Sequence, residues 1–165
     1  MIRTAGIVEE SFVDGPGIRF VVFAQGCSHN CTGCHNPHTH DFNGGSFISI
    51  DEIISRMRKN PLLDGITLSG GEPFEQADKM GLLAARTKDM GYDVMAYSGY
   101  RYEEILEKSE RDKGWKSLIL NTDILVDGKF ELENKDLMLK FRGSKNQRII
   151  DVKESMKIGK TIILD

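Results

Sequence analysis

Residues 18–34 read IRFVVFAQGCSHNCTGC, a strand-forming run that leads directly into a loop with three thiols. The run from Ile18 to Phe23 is dominated by β-branched and aromatic side chains, which is typical of a buried strand. The thiols belong to Cys27, Cys31 and Cys34, and the 165-residue chain contains no other cysteine. The stretch therefore predicts a strand whose carboxyl end carries a group of candidate metal ligands.

Three thiols so close together can be used in several ways. A disulfide framework needs an even number of cysteines, and a dithiol redox pair at Cys31 and Cys34 would leave Cys27 without a role. Three thiolates and one imidazole would complete a closed tetrahedral zinc site. A four-iron cluster normally takes four thiolates, so here one iron would stay open to a ligand from outside the protein. The loop alone leaves both zinc and iron possible, because four histidines lie in or near it: His29, His35, His38 and His40.

Composition excludes several classes of protein. Hydrophobic residues make up 39% of the chain and charged residues 28%, as in ordinary globular domains. A net charge of −3 argues against a nucleic-acid partner. No run approaches the ~20 apolar residues of a membrane span, and the first residues lack the apolar core of a signal peptide. We therefore expect a cytoplasmic protein, without nucleic-acid or membrane partners, that forms a single domain over residues 1–165.

Strand-like and helix-like segments alternate along the chain. The predicted strands are residues 3–12, 18–23, 65–69, 92–97, 117–120, 124–126, 147–152 and 161–164. The predicted helices lie between a capping box at Ser49 and Pro61, between Ala77 and Gly91, and over residues 102–110. This alternation predicts an α/β fold with a parallel sheet and helices on its outer face. A complete eight-stranded barrel needs ~200 residues or more, so we expect an open, partial TIM-like (β/α) barrel.

Ligand sites in such folds gather beyond the carboxyl ends of the strands. The stretches Cys27–Cys34, Gly70–Pro73 and Ser98–Tyr100 each follow a predicted strand, and Asp123 and Asp127 flank another. Two adjacent glycines let a ligand approach the backbone closely, although a tight turn into a helix would also use glycine and proline. We therefore expect one face of the sheet to collect the chemistry.

The combination of these motifs resembles a known family. Cys-x3-Cys-x2-Cys followed by Gly-Gly-Glu-Pro is similar to the radical S-adenosylmethionine superfamily, which implies the open barrel of that type. Residues 14–19 (DGPGIR) and 25–27 (QGC) resemble the glycyl-radical-enzyme activases. Residues 97–100, 123–128 and 141–148, with the short chain, resemble the activating proteins of anaerobic ribonucleoside-triphosphate reductase. The resemblance covers nearly the whole chain and favours iron over zinc.

The resemblance implies a cofactor site. Cys27, Cys31 and Cys34 would bind three irons of one 4Fe–4S cluster per chain, and S-adenosylmethionine would chelate the fourth iron. Gly70 and Gly71 would bond the methionine amino group through their backbone. The other residues implied to line the cofactor are Gly33, Cys34, His35, Glu72 and Pro73. No catalytic side chain is implied beyond the cluster and S-adenosylmethionine.

The resemblance also implies a reaction and its partners. An electron from the cluster would cleave S-adenosylmethionine, and the 5′-deoxyadenosyl radical would take a hydrogen atom from a glycine of the reductase large subunit. An electron donor such as flavodoxin or ferredoxin would reduce the cluster. The alternatives are an activase of another glycyl-radical enzyme, such as pyruvate formate-lyase, and a non-catalytic zinc-binding module. Many members of the radical S-adenosylmethionine superfamily carry an aromatic residue directly before the third cysteine, where this chain has Gly33. The resemblance therefore does not assign the adenine contacts.

Several polar residues near these motifs have two interpretations each. Asp14 and Arg19 would orient the cluster loop or meet the incoming glycine, or they would be an ordinary turn residue and an outward strand charge. Asp123 and Asp127 would contact the substrate or the adenosyl group, or have no role there. His29 is expected to face solvent or to support the cluster without binding it. The basic cluster near the carboxyl terminus would be a solvated surface or an anion contact: Lys140, Arg142, Lys145 and Arg148.

Overall fold

The computed structural model describes residues 1–164, and within that range one eight-stranded sheet is flanked by helices. The strands are β1 (Ile2–Ser11), β2 (Arg19–Ala24), β3 (Ser46–Ile48), β4 (Gly65–Gly70), β5 (Asp93–Tyr97), β6 (Ile124–Asp127), β7 (Arg148–Asp151) and β8 (Ile163–Leu164). The helices are α1 (Ile50–Arg58), α2 (Ala77–Asp89), α3 (Tyr102–Ser109), α4 (Lys113–Leu120) and α5 (Val152–Ile158). No helix in this range is both long and apolar enough to span a membrane.

The sheet has the order β3-β1-β2-β4-β5-β6-β7-β8. Its four central strands, β2, β4, β5 and β6, are parallel and follow one another in chain order. Helical crossovers join them, with α1, α2 and the pair α3–α4 in the successive connections. Antiparallel strands flank this centre on both sides, and β3 and β8 end the sheet without pairing to each other. The predicted α/β fold with an open, partial barrel is confirmed.

Alternate side chains of the central strands point to opposite faces of the sheet. On the outer face, Phe20, Ile66 and Val94 belong to the apolar core that the strands form with the helices. Helix α1 begins as predicted, since the Ser49 hydroxyl accepts a hydrogen bond from the Glu52 N–H at 3.1 Å. The outer face therefore carries the packing, and the inner face is left for other groups.

The strand predicted at residues 117–120 is wrong, because these residues lie in α4. Asp112 caps this helix by accepting hydrogen bonds from the N–H groups of Gly114 and Trp115. Trp115, Leu118 and Ile119 then follow at helical spacing and are buried against the core. A short apolar run does not distinguish a buried strand from a buried helix. The capping residue Asp112 is the sequence signal that favours the helix.

Arg19 lies on the inner face of β2 and is completely buried, so its interpretation as an outward charge is wrong. Its guanidinium donates to the Ile66 carbonyl at 2.6 Å and to the Thr67 hydroxyl at 3.1 Å. It also approaches an Asp93 carboxylate oxygen at 2.5 Å, without hydrogen-bond geometry. The Thr67 hydroxyl in turn donates to the Asp14 carbonyl at 2.8 Å. Arg19 and Thr67 thus hold the turn between β1 and β2 over the inner face.

Candidate cluster and cofactor site

The loops that follow the four parallel strands meet around one cavity of about 350 Å³. The lining comes from all four loops and includes Cys27, Cys31, Cys34, His35, Gly70, Gly71, Ser98, Gly99, Gly128, Lys129 and Phe130. Asp14 and Val13 reach the same cavity from the turn between β1 and β2. The structure therefore brings together the cysteine loop, the glycine turn and Ser98–Gly99.

The three thiols are partly buried, free of disulfide bonds, and exposed to the same cavity. Burial raises the pKa of the Cys27 thiol to about 11, against an opposing hydrogen bond from the backbone of His29. Burial also raises the pKa of Cys31, against a hydrogen bond from the backbone of Phe130. Thiolates crowded in this way are costly without a cation, and metal binding removes that cost by displacing the protons.

The arrangement of the thiols fits a cluster better than a single ion. A zinc ion holds four ligands ~2.0–2.3 Å from one atom. Among residues 1–164 no three His, Cys, Asp or Glu side chains converge closely enough to hold one ion. In a four-iron cluster each thiolate binds a different iron, so the sulfurs need only surround a common space. The Asn36 N–H also points at the Cys34 sulfur, at 3.4 Å, which is the type of donor that tunes such clusters.

The two glycines of the Gly70–Pro73 turn are required by close backbone contacts. Gly70 has φ +91°, and a Cβ there would lie 2.5 Å from the Ala24 backbone nitrogen. A Cβ on Gly71 would lie 2.5 Å from the Gly26 carbonyl oxygen. The Gly71 N–H already donates to the Ala24 carbonyl at 2.8 Å. The Gly71 N–H is therefore not available to a ligand. The turn suits a ligand that itself donates hydrogen bonds, such as an amino group.

The side chain of Glu72 does not face the cavity but the protein beneath it. It is 0% exposed, and its carboxylate accepts hydrogen bonds from the N–H groups of Phe74 and Gly99 at 3.0 and 2.8 Å. It also accepts a bond from the Ser98 hydroxyl and one from His29, whose ring nitrogen lies 2.6 Å away. Pro73 is buried at the first position of a short 3-10 turn. Contacts of Glu72 and Pro73 with a cofactor remain predictions.

The side chain of His29 is buried at the edge of the cavity, so the interpretation in which it faces solvent is wrong. Its side chain is 6% exposed, and its ring meets the edge of Tyr100 with centroids 4.5 Å apart. Glu75 links the neighbouring residue Ser28 to Tyr100, because its carboxylate accepts hydrogen bonds from both hydroxyl groups. Burial and Glu75 raise the pKa of Tyr100 to about 12, so its hydroxyl stays protonated and donates. We call Glu72, Glu75 and Tyr100 the polar wall of the cysteine loop.

The carboxyl half of the cysteine loop rests on a different surface. Gly33 has φ +76°, and a Cβ there would lie 3.0 Å from a methyl group of Leu132. The ring of His35 packs against that of Phe130, with centroids 5.0 Å apart. We call Phe130 and Leu132 the apolar wall. Sequence reasoning missed both residues, because they lie in an irregular segment after β6 with no periodic pattern.

The two aspartates around β6 have structural partners. Asp127 is completely buried and accepts hydrogen bonds from the Tyr102 N–H and from the Arg148 guanidinium. Asp123 lies at the amino end of β6, where it pairs with Lys88 and accepts from the Val94 N–H. Because parallel strands share their direction, that end is opposite to the cavity. The interpretation of Asp123 as an active-face residue is therefore wrong.

The basic cluster predicted near the carboxyl terminus does not act as one unit. Arg148 forms ion pairs with Asp127 and Glu103. Arg142 lines the cavity and donates to the Gln147 carbonyl at 2.6 Å. Lys145 is exposed at the surface. The interpretation as a solvated surface is confirmed for Lys145, and an anion contact of Arg142 stays a prediction.

The fold and the thiols define a class of iron–sulfur protein, and comparison with known families agrees. Residues 13–150 match the family described as "4Fe-4S single cluster domain", to which the chain belongs. The crystal structure of QueE from Escherichia coli covers 59% of this chain and 52% of its own, with a TM-score of 0.48 and 15% identity. That likeness is too weak to support an argument.

Several named relatives identify the family more closely. The anaerobic ribonucleoside-triphosphate reductase-activating protein of Haemophilus influenzae is 32% identical over 83% of this chain and 90% of its own length. The protein of the same name from Vibrio cholerae is 34% identical over 83% and 90%. The pyruvate formate-lyase-activating enzyme of Clostridium pasteurianum is 37% identical, but over 67% of this chain and 50% of its own. The chain belongs to the family of anaerobic ribonucleoside-triphosphate reductase-activating proteins, as its motifs predicted.

Proposed function

We propose that this chain is an activating enzyme that generates a glycyl radical on an anaerobic ribonucleoside-triphosphate reductase. The observation that carries the proposal is the cavity at the carboxyl ends of the parallel strands. It joins three thiols to the Gly70–Gly71 turn in a chain of this family. The similarity to a pyruvate formate-lyase-activating enzyme supports a second candidate function, which is the same chemistry on another glycyl-radical enzyme.

Cys27, Cys31 and Cys34 would hold three irons of a 4Fe–4S cluster, and S-adenosylmethionine would complete the fourth. When bound, these groups supply the reductive cleavage of S-adenosylmethionine that leads to removal of a glycine hydrogen atom. Gly70 and Gly71 would bind the methionine portion through their backbone, with Glu72 and Pro73 shaping the turn. Gly33, Cys34 and His35 would lie on the nucleoside side. The task of the protein is to bind and orient these cofactors and to exclude competing reactants.

The partners follow from the same site. The glycine-bearing segment of the reductase large subunit would enter the cavity beside Val13 and Asp14, which line it from the β1–β2 turn. Lys129 and Arg142 also line the cavity, and their charge suits an acidic electron donor such as flavodoxin or ferredoxin. The enzyme would act in the cytoplasm as a single domain over residues 1–165, without nucleic-acid or membrane partners.

Anaerobic reconstitution tests this function. The protein is loaded with iron and sulfide, reduced with dithionite and given S-adenosylmethionine, and 5′-deoxyadenosine is measured. We expect its release from the native chain and none from the alanine variants of Cys27, Cys31 or Cys34. A native chain with an intact cluster that releases none would refute the proposal. If His38→Ala, a change at an exposed loop residue, removed the metal, a zinc site would be favoured instead.

The partner is identified in a second step. Reduced, loaded protein is mixed with purified anaerobic reductase or with pyruvate formate-lyase, and electron paramagnetic resonance is recorded. We expect the doublet of a glycyl radical on the reductase. A doublet on the lyase alone would replace the first candidate partner with the second.

A further inference from the structure

The carboxylate of Glu72 has an environment that binding of S-adenosylmethionine through the backbone does not explain. It is completely buried, and protein groups occupy both of its oxygens. One oxygen accepts from the Phe74 N–H, the other from the Gly99 N–H and from His29, and the Ser98 hydroxyl reaches both. A carboxylate buried in this way is tolerated because each acceptor site is satisfied. Its side chain therefore serves the protein rather than the cavity.

The donors to Glu72 come from three different loops at the carboxyl ends of the sheet. His29 belongs to the cysteine loop after β2, Phe74 to the turn after β4, and Ser98 and Gly99 to the loop after β5. The sequence separation of 43 between His29 and Glu72 makes their contact a tertiary one. One side chain thus ties together the loops that line the site, and His29 is the member from the cysteine loop.

The contact between His29 and Glu72 is directional. The His29 Nε2 lies 2.6 Å from a carboxylate oxygen. An ionised carboxylate only accepts, so the tautomer with its hydrogen on Nε2 is the one that makes this bond. The bond fixes both the tautomer and the orientation of the ring, as hydrogen-bonded partners do around metal sites.

The ring of His29 lies in a slot that the surrounding backbone leaves open for it. A Cβ on Gly99 would come within 2.5 Å of the ring, so this position accommodates His29 only as glycine. Asn30, the next residue, has φ +54°, a left-handed conformation that side chains other than glycine adopt uncommonly. This turn sends the chain on toward Cys31 while the ring remains in the slot.

We propose that His29 is a positioning residue that fixes the cysteine loop against the Gly70–Gly71 turn. His29 lies midway between Cys27 and Cys31, and Glu72 directly follows Gly71. Their bond therefore sets the spacing between the thiols and the turn. This inference rests on the proposed function, in which the thiols hold the cluster and the turn holds S-adenosylmethionine. His29, which also lines the cavity, would set the distance between these two cofactors through its bond to Glu72.

The test compares His29→Gln with His29→Met, two side chains of similar length. Glutamine can donate a hydrogen bond to Glu72, whereas methionine cannot. His38→Ala is the control, because His38 is exposed in the same region. All three cysteines remain in each variant, so we expect the iron and sulfide content of the native protein.

Two measurements report on positioning rather than on turnover. The first is S-adenosylmethionine binding, followed by the change it causes in the electron paramagnetic resonance signal of the reduced cluster. We expect His29→Met to need ~10–100-fold more ligand for half of that change, the range found for hydrogen-bond partners of metal ligands. We expect His29→Gln to recover most of the native affinity. The second is amide hydrogen exchange of residues 28–34 without metal, which should be faster in His29→Met alone.

The outcomes separate the inference from the function on which it rests. If the native protein binds a cluster but neither binds nor cleaves S-adenosylmethionine, the proposed function fails. If the native protein does both and His29→Met binds the ligand equally well, only the positioning role fails. If both His29 variants lose the cluster, His29 is needed for cluster binding itself and the positioning role is again refuted. Should His29→Met not fold, the same ligand titration is made with His29→Ala, which removes the bond to Glu72 and places no other bulky group in the slot. An unchanged affinity in that variant would contradict the inference.

Discussion

The two walls of the cysteine loop hold it by different physical means. The polar wall acts through hydrogen bonds to two carboxylates, that of Glu72, which is buried, and that of Glu75, which is exposed, and it lies at the ends of β4 and β5. The side chains of the apolar wall act through contact, beside one hydrogen bond from the Phe130 backbone to the Cys31 sulfur, and they lie in an irregular segment where Leu132 is still 51% exposed. Hydrogen bonds fix distance and angle, whereas apolar contact responds mainly to volume. The comparison indicates that the half of the loop with Cys27 is positioned tightly and the half with Cys34 more loosely.

The largest effect is expected from Gly99→Ala, which breaks the polar wall. The added Cβ would collide with the His29 ring at 2.5 Å and would drive it out of its slot. Overpacking of this kind costs about 1–3 kcal/mol of unfolding free energy, and misplacing reactive groups by ~1 Å can cost ~100-fold in rate. Urea unfolding and 5′-deoxyadenosine release measure the two effects. Gly6→Ala is the control, because a Cβ there meets nothing within 4 Å, and equal losses in both variants would contradict the prediction.

A smaller effect is expected from Leu132→Ala, which breaks the apolar wall. Leu132 is half exposed, so its truncation removes little buried area and should lower the unfolding free energy by about 1 kcal/mol. We expect 5′-deoxyadenosine release to fall by less than ~10-fold, since Cys34 keeps its other neighbours. Leu137→Ala, at a position 82% exposed, is the matched control. A loss as large as that of Gly99→Ala would show that the two walls are equivalent.

A double-mutant cycle between Gly33 and Leu132 sharpens the comparison. Gly33→Ala places a Cβ 3.0 Å from a Leu132 methyl group and also demands φ +76° of an alanine. The steric part should disappear in the double variant, whereas the backbone part should remain. We expect a coupling of about 0.5–1 kcal/mol in urea unfolding, with the double variant more stable than the sum of the single changes implies. Strict additivity would mean that Leu132 makes no contact with Gly33 in solution.

The smallest effect is expected at Glu103. Its partner Arg148 also pairs with Asp127, the last residue of β6, from which the chain continues into the apolar wall. Hydrogen bonds from Arg148 lower the pKa of Glu103 from 4.5 to about 2, so folding favours the ionised carboxylate. The stabilisation is complete above pH 4.5 and is lost as the pH falls toward 2. Because Glu103 is largely exposed, we expect Glu103→Gln to cost well under ~1 kcal/mol at pH 6 and less still at pH 3, measured by urea unfolding. A difference that stays constant between these pH values would contradict the assigned ion pair.

The sequence by itself determined the general architecture and the place of the chemistry. Alternating strand and helix patterns are local, so they predicted the parallel centre and its crossovers from Ile18 to Val126, apart from α4, which was predicted as a strand. Three cysteines and two adjacent glycines after consecutive strands then predicted a site at the carboxyl ends, because parallel strands share that edge. The family followed from the same motifs, since their spacing along the chain reflects the cofactor that they serve.

Only the tertiary structure decided which side chains support the site. The burial of Arg19, the partners of Glu72 and the position of Leu132 depend on contacts between residues far apart in the chain. No periodicity encodes such contacts, because each is set by the way whole elements pack against one another. The residue pattern placed His29 beside the cysteines, but only the fold brought Glu72 to its ring. The sequence thus identifies the groups that can bind cofactors, and the packing determines how firmly each half of their loop is held.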